Sequence, residues 1–87
     1  MIDESSYKRI RWASRRGMLE LDLILVPFVE ERFDGLSDED KRRYIQLLEG
    51  EDNDLFAWCL GREIPSDPDE AAIIALIIEH ARTRIKT

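Results

Sequence analysis

Met18-Leu19-Glu20-Leu21-Asp22-Leu23-Ile24-Leu25-Val26-Pro27-Phe28-Val29 is the stretch on which the fold turns. Wound as a helix it is apolar on most sides. Met18, Leu21, Leu25 and Phe28 form one stripe, and Leu23, Ile24, Val26 and Val29 widen it. A helix that is apolar nearly all round has to be covered nearly all round, so this one, over about Met18 to Phe33, is predicted at the centre of a bundle. Pro27 cannot donate to the carbonyl of Leu23 and is expected to kink the helix or to sit near its end.

The flanking segments supply the cover. Upstream, a helix is predicted from Ser5 or Ser6 to Arg15, with Asp3 and Glu4 at its positive end and Tyr7, Ile10 and Ala13 facing inward. Gly17 then turns the chain. Downstream, Ser37 is an N-cap followed by Asp38, Glu39 and Asp40 in the first turn, where the helix dipole favours acids. Tyr44, Leu47 and Leu48 should face the core before Gly50 ends that helix. A short fourth helix, capped by Asp52 or Asp54, carries Leu55, Phe56, Cys59 and Leu60 and stops at Gly61. Asp67-Pro68-Asp69-Glu70 reads as N-cap, N1 proline and N3 glutamate. The last helix is expected to run to about Thr83, with Ile74, Ile78, Ala81 and Ile85 as its stripe. No segment alternates cleanly enough for a strand. The expected fold is all-α, a compact five-helix bundle forming a single domain over residues 1–87.

Composition limits the function. The chain has 87 residues, 44% of them hydrophobic, and a domain of this size buries only roughly 60–65% of its unfolded surface. Its single cysteine, Cys59, excludes an internal disulfide and fits a reducing cytoplasm. Met1-Ile2-Asp3-Glu4 has neither the basic start nor the apolar core of a signal peptide, and no run is long enough for direct membrane insertion. A cytoplasmic location is expected. The net charge of −6 hides a pattern. Residues 1–16 sum to +3, residues 17–70 to −11 and residues 71–87 to +2. An acidic body argues against nucleic acid as partner, and the basic N-terminal segment points to a specific docking surface.

Catalytic groups are scarce. A nucleophile–base pair would need Cys59 with His80. Cys59 lies among Leu55, Phe56 and Leu60, the setting of a buried, inert thiol, and His80 reads as a surface partner of the helix dipole. Asp52-Asn53-Asp54 starts like a calcium loop but lacks the glycine and terminal glutamate, and no spacing suits zinc. No glycine-rich phosphate loop is present. The chain is read as not an enzyme, with catalytic residues none and metal none.

Two features of Arg9-Ile10-Arg11-Trp12-Ala13-Ser14-Arg15-Arg16-Gly17-Met18-Leu19-Glu20 stand apart. Trp12 points away from the Ile10 side, and its helical neighbours are Lys8, Arg9, Arg15 and Arg16. Tryptophan ringed by cations, with Arg11 beside it, has the composition of an interface hot spot. The alternative is a ring packed under a neighbouring helix with arginines stacked on it. Glu20 interrupts an apolar helix, where an unpaired buried carboxylate is costly. It either pairs with Arg16 or reaches the surface beside Gly17.

Arg16-Gly17-Met18-Leu19-Glu20 resembles the Arg-Gly-x-x-Glu motif of the FAD assembly factor family of succinate dehydrogenase, bacterial SdhE and its mitochondrial relatives. The resemblance continues through Leu19-Glu20-Leu21-Asp22, Pro27-Phe28, Leu36-Ser37-Asp38, Leu47-Leu48 and Asp52-Asn53-Asp54-Leu55-Phe56-Ala57-Trp58. Tyr44 departs from the phenylalanine common in relatives, and the tail after His80 is not diagnostic. The resemblance implies a five-helix bundle and a chaperone that binds the flavoprotein subunit of succinate dehydrogenase, or of fumarate reductase, and promotes covalent attachment of FAD. It implies that no cofactor is bound stably by this chain, FAD being carried by the partner. By motif, Arg16, Gly17 and Glu20 should lie in the partner-facing surface. The face of Lys8, Arg9, Arg11, Trp12 and Arg15 extends it by helical geometry. A monomer is expected. The alternative reading is an antitoxin-like or regulatory protein-binding module.

Overall fold

The structure, a computed structural model, describes residues 4–85, with side chains over 7–84. The expected roles of Asp3, and of the Glu4 and Ile85 side chains, lie outside the described residues. Among the described residues there are five α-helices, α1 (Glu4–Ala13), α2 (Leu19–Arg32), α3 (Asp38–Leu47), α4 (Asp52–Cys59) and α5 (Pro68–Ile85), with a 3-10 turn at Phe33–Gly35 after α2. No strand occurs among the described residues.

Helix α2 is the hub: α1, α4 and α5 all pack on it, and α5 also packs on α3 and α4. Leu21, Leu25, Phe28 and Val29 of α2 are buried. They meet Ile10, Phe33, Tyr44, Leu47, Leu55, Ile73 and Ile77 in one core cluster. Its aromatic centre is Tyr44, whose ring lies 5.5 Å from Phe28 and 5.9 Å from Phe33. The radius of gyration, 12.0 Å, equals the roughly 12 Å of a compact chain of this length.

The cover of α2 is one-sided, which corrects the expectation of a helix enclosed nearly all round. Leu19 and Leu23 are 69% and 63% exposed. The neighbouring helices gather on one side, so the opposite face stays in solvent despite its composition. Pro27 lies inside α2, which continues to Arg32. Pro27 and Leu23 line the same surface hollow, and the proline withholds the donor that the Leu23 carbonyl would otherwise meet.

Termination follows the local chemistry. Ser37 accepts the Asp40 N–H at 3.1 Å, and Asp67 accepts those of Asp69 at 2.7 Å and Glu70 at 3.4 Å. Gly61 ends α4 with φ +75°, a left-handed conformation that costs glycine little. The N-cap of α4 is Glu51, with no side-chain capping bond. Asp52, expected as a cap, binds Arg16 instead (below).

The inward faces of α1 and α5 differ from the sequence reading. Helix α1 ends at Ala13, which is exposed, and Ser14 takes the buried position one turn after Ile10. Its hydroxyl donates to the Ile10 carbonyl at 2.8 Å and pairs with the Tyr44 hydroxyl at 2.7 Å. On α5 the buried stripe is Ile73, Ile74, Ile77 and His80, with Ile78 and Ala81 half-buried. Packing against three helices at once rotates α5 toward its Ile73 side. That rotation carries His80 into the core, where it is 5% exposed and not a surface partner of the dipole. Its Nε2 lies 2.9 Å from Glu31 Oε1, and its ring meets Phe28 edge-on at 5.5 Å. The hydrogen bond from His80, then that from Arg84, holds the Glu31 carboxyl below its ordinary range.

The Ser14–Tyr44 pair gives the first test. Tyr44→Phe removes one buried hydrogen bond but leaves Ser14 bonded to Ile10. The expected cost is about 1 kcal/mol, a melting temperature lower by about 4–8 °C. A thermal melt by circular dichroism reads it. An unchanged or higher melting temperature would contradict the account of that pair.

Candidate partner-docking surface

The connection between α1 and α2 is built around Arg16. Its side chain is 17% exposed and reaches across to the junction between α3 and α4. Nε donates to Asp52 at 2.7 Å, Nη1 to the Leu48 carbonyl at 2.8 Å, and Nη2 to the Gly50 carbonyl at 2.8 Å. Nη1 also reaches the Ala13 carbonyl at 3.2 Å. A planar guanidinium can satisfy these acceptors together because its donors diverge in a fixed fork. Its backbone N–H donates to Asp22 of α2 at 2.6 Å. Arg16 therefore locks the α1–α2 turn to the rest of the bundle, and its fork points inward.

Gly17 follows at φ +83°. It is exposed, and no atom lies within 4 Å of where a Cβ would stand. Glu20 is also exposed and makes no hydrogen bond or ion pair among the described residues. With Arg16 committed to Asp52, the reading in which Glu20 reaches the surface is the one the structure adopts. The motif thus divides into an internal anchor, Arg16, and two outward groups, Gly17 and Glu20.

Trp12 is 75% exposed, so the alternative of a ring packed beneath another helix does not hold. Cations stack on Phe33 (Lys41, 5.8 Å) and Phe56 (Arg62, 5.7 Å), not on Trp12. Arg9 and Arg15 are exposed and form no ion pair among the described residues. Lys8 is exposed as well. Arg11 is drawn down onto α2, where its Nε donates to Glu30 at 2.9 Å. The outward residues are Lys8, Arg9, Trp12 and Arg15 on α1 and its end, then Gly17 and Glu20.

Sequence reasoning missed Leu19 and Leu23 on the same side. Leu23 borders two shallow hollows. One, of about 300 Å³, is lined by Arg15, Leu19, Asp22, Val26 and Pro27 besides Leu23. The other, of about 330 Å³, is lined by Glu20, Ile24, Ala81 and Arg84 besides Leu23. The signal was available: at 100° per residue Leu23 stands opposite the mean direction of Leu21, Leu25 and Phe28.

The groups that would serve a reaction are turned inward. Burial pushes the Cys59 thiol up to about 12, and burial also raises the Tyr44 hydroxyl. His80 is bonded to Glu31 and not to Cys59. Among the described residues no three His, Cys, Asp or Glu side chains converge on a metal-sized site. No described helix is long and apolar enough to cross a membrane.

Residues 8–81 match the model of a family described as flavinator of succinate dehydrogenase. The chain belongs to this family. Among curated members, a FAD assembly factor SdhE of Pseudomonas aeruginosa is 48% identical over 82 residues, covering 94% of this chain and 98% of the relative. The SdhE of Photobacterium profundum is 40% identical over 86 residues, covering 99% and 98%. That of Shewanella oneidensis is 52% identical over 69 residues, covering 79% and 84%. The SdhE family is named for assembly, not for a reaction that it catalyses itself.

Proposed function

We propose that this protein binds the flavoprotein subunit of succinate dehydrogenase, or that of fumarate reductase, and promotes covalent attachment of FAD to it. The observation that carries the reading is the family match over residues 8–81. The outward placing of Gly17 and Glu20 on a rigid turn supports it. FAD would be held by the partner and would supply the oxidant: one C–H bond of its 8α-methyl group would be broken, a partner histidine nitrogen would bond to that carbon with loss of its own proton, and the flavin ring would take up the electron pair. This chain adds geometry: it holds the partner so that histidine and flavin stay aligned, which lowers the entropic part of the barrier.

Under this reading the docking surface comprises Lys8, Arg9, Trp12, Arg15, Gly17 and Glu20, with Arg16 holding the turn from inside and Arg11 fixing α1 to α2. An exposed Gly17 lets the partner backbone approach closely. The protein acts as a cytoplasmic monomer and carries no FAD or metal of its own. Mixing the purified protein with the purified flavoprotein subunit and separating by size tests this. Co-elution, with a flavin spectrum only in fractions containing the subunit, is expected. Separate elution, or equimolar flavin on this protein alone, would overturn it.

A further inference from the structure

We propose that the solvent face of α2 is the centre of the docking surface, and that it takes a segment of stated polarity from the flavoprotein. That segment presents apolar side chains to the two hollows beside Leu23, a carboxylate toward Arg15 and a cationic group toward Glu20. The inference rests on the reading of this protein as a flavoprotein-binding factor and deepens it.

Single exposed leucines are ordinary on protein surfaces. Leu19 and Leu23 are not single. They stand one turn apart on α2, at 69% and 63% exposure, and border one hollow together with Val26 and Pro27. Leu23 also forms the near wall of the second hollow, against Ile24 and Ala81. A ridge with an apolar depression on each side is the relief that interdigitating side chains require, and such desolvated spots hold most of an interface's binding energy.

Charge sets the orientation. In the first hollow Asp22 is occupied by the Arg16 backbone N–H, while Arg15 has no ion-pair partner among the described residues. In the second, Arg84 is bonded to Glu31, while Glu20 has no partner among the described residues. The charged groups left without a partner among the described residues are therefore Arg15 on one flank of Leu23 and Glu20 on the other. A partner of complementary potential would place acid and base on the corresponding sides of its apolar residues. The face is continuous with Gly17, beside which nothing obstructs an approaching backbone.

The test is a calorimetric titration of the purified flavoprotein subunit with the wild-type chain and with Leu19→Ser, Leu23→Ser, Arg15→Glu and Glu20→Lys. All four positions are exposed, and a thermal melt accompanies each variant. The expected result is a Kd raised roughly 10- to 100-fold by Leu23→Ser, with Leu19→Ser next. Both charge reversals should weaken binding, and more so at low salt than at high salt. An unchanged Kd for both serine variants, while the wild type binds, would overturn the inference and leave the flavoprotein reading standing. Weakened binding by the serine variants but none by either reversal would overturn the polarity. Failure of the wild type to bind would remove the reading itself. Sedimentation showing that the wild type self-associates and Leu23→Ser does not would assign the face to a second copy of this chain and overturn the proposal.

Discussion

Gly17→Arg is expected to leave the bundle folded and to reduce covalent flavin on the partner subunit to background. Two costs compete at this one residue. A left-handed φ of +83° costs an L-residue about 1–2 kcal/mol, and no atom lies within 4 Å of an added Cβ to raise that figure. This is small beside a typical folding stability of about 5–15 kcal/mol, and lowers melting by about 4–16 °C. A docking contact tolerates intrusion far less. Loss of a central hot spot costs roughly 2–4 kcal/mol, or about 30- to 1,000-fold in affinity. Gly17→Ala separates the terms, because it carries the backbone strain with only a methyl group of intrusion. It should melt like Gly17→Arg while retaining more flavinylation. Equal flavinylation by Gly17→Arg and wild type would refute the role of the turn.

Arg16→Ala should have the opposite signature, with loss of stability first. The substitution removes the bonds to Asp52, the Leu48 carbonyl and the Gly50 carbonyl, each 2.7–2.8 Å long. It leaves partly buried acceptors at the α3–α4 junction without their donor. Hydrogen bonds to charged groups are worth about 1.5–3 kcal/mol each, but bonds to one shared group do not add. A net loss of about 2–4 kcal/mol is expected, a fall in melting temperature on the order of 10–30 °C. Arg16→Lys keeps the charge but cannot span the acceptors with one ammonium, so it should recover only part of the loss. Circular dichroism melts of the three proteins decide. A melting temperature for Arg16→Ala within about 2 °C of the parent would return Arg16 to the partner surface, where the motif alone had placed it.

The helices were legible because their signals are local. Ser37 and Asp67 bond donors two or three residues away, and Gly61 closes α4 through its own φ. Leu21, Leu25, Phe28 and Val29 recur at helical spacing. What stayed hidden depends on residues far apart in sequence. The Arg16–Asp52, Ser14–Tyr44 and His80–Glu31 contacts join residues separated by 36, 30 and 49 positions. No periodicity reports such a contact. Asp52 or Asp54 suits a cap by sequence because nothing nearby in the chain competes for Asp52, and Arg16 does so only once the helices pack. Leu19 and Leu23 were lost for a different reason. Apolar composition alone points to burial, although a helix covered on one side can keep apolar residues outward. Trp12 and Glu20 were legible as anomalies because each breaks the local pattern around it, and both prove to be outward.

Under the proposed function, this protein promotes covalent flavinylation by docking, without chemistry of its own. The most direct measurement is in-gel flavin fluorescence of the denatured flavoprotein subunit, taken from cells that lack their own assembly factor and express this chain. The account predicts that wild type restores covalent fluorescence, that Gly17→Arg does not although it melts as a folded protein, and that Cys59→Ala restores it fully. No restoration by the wild type, or restoration that disappears with Cys59→Ala, would contradict it.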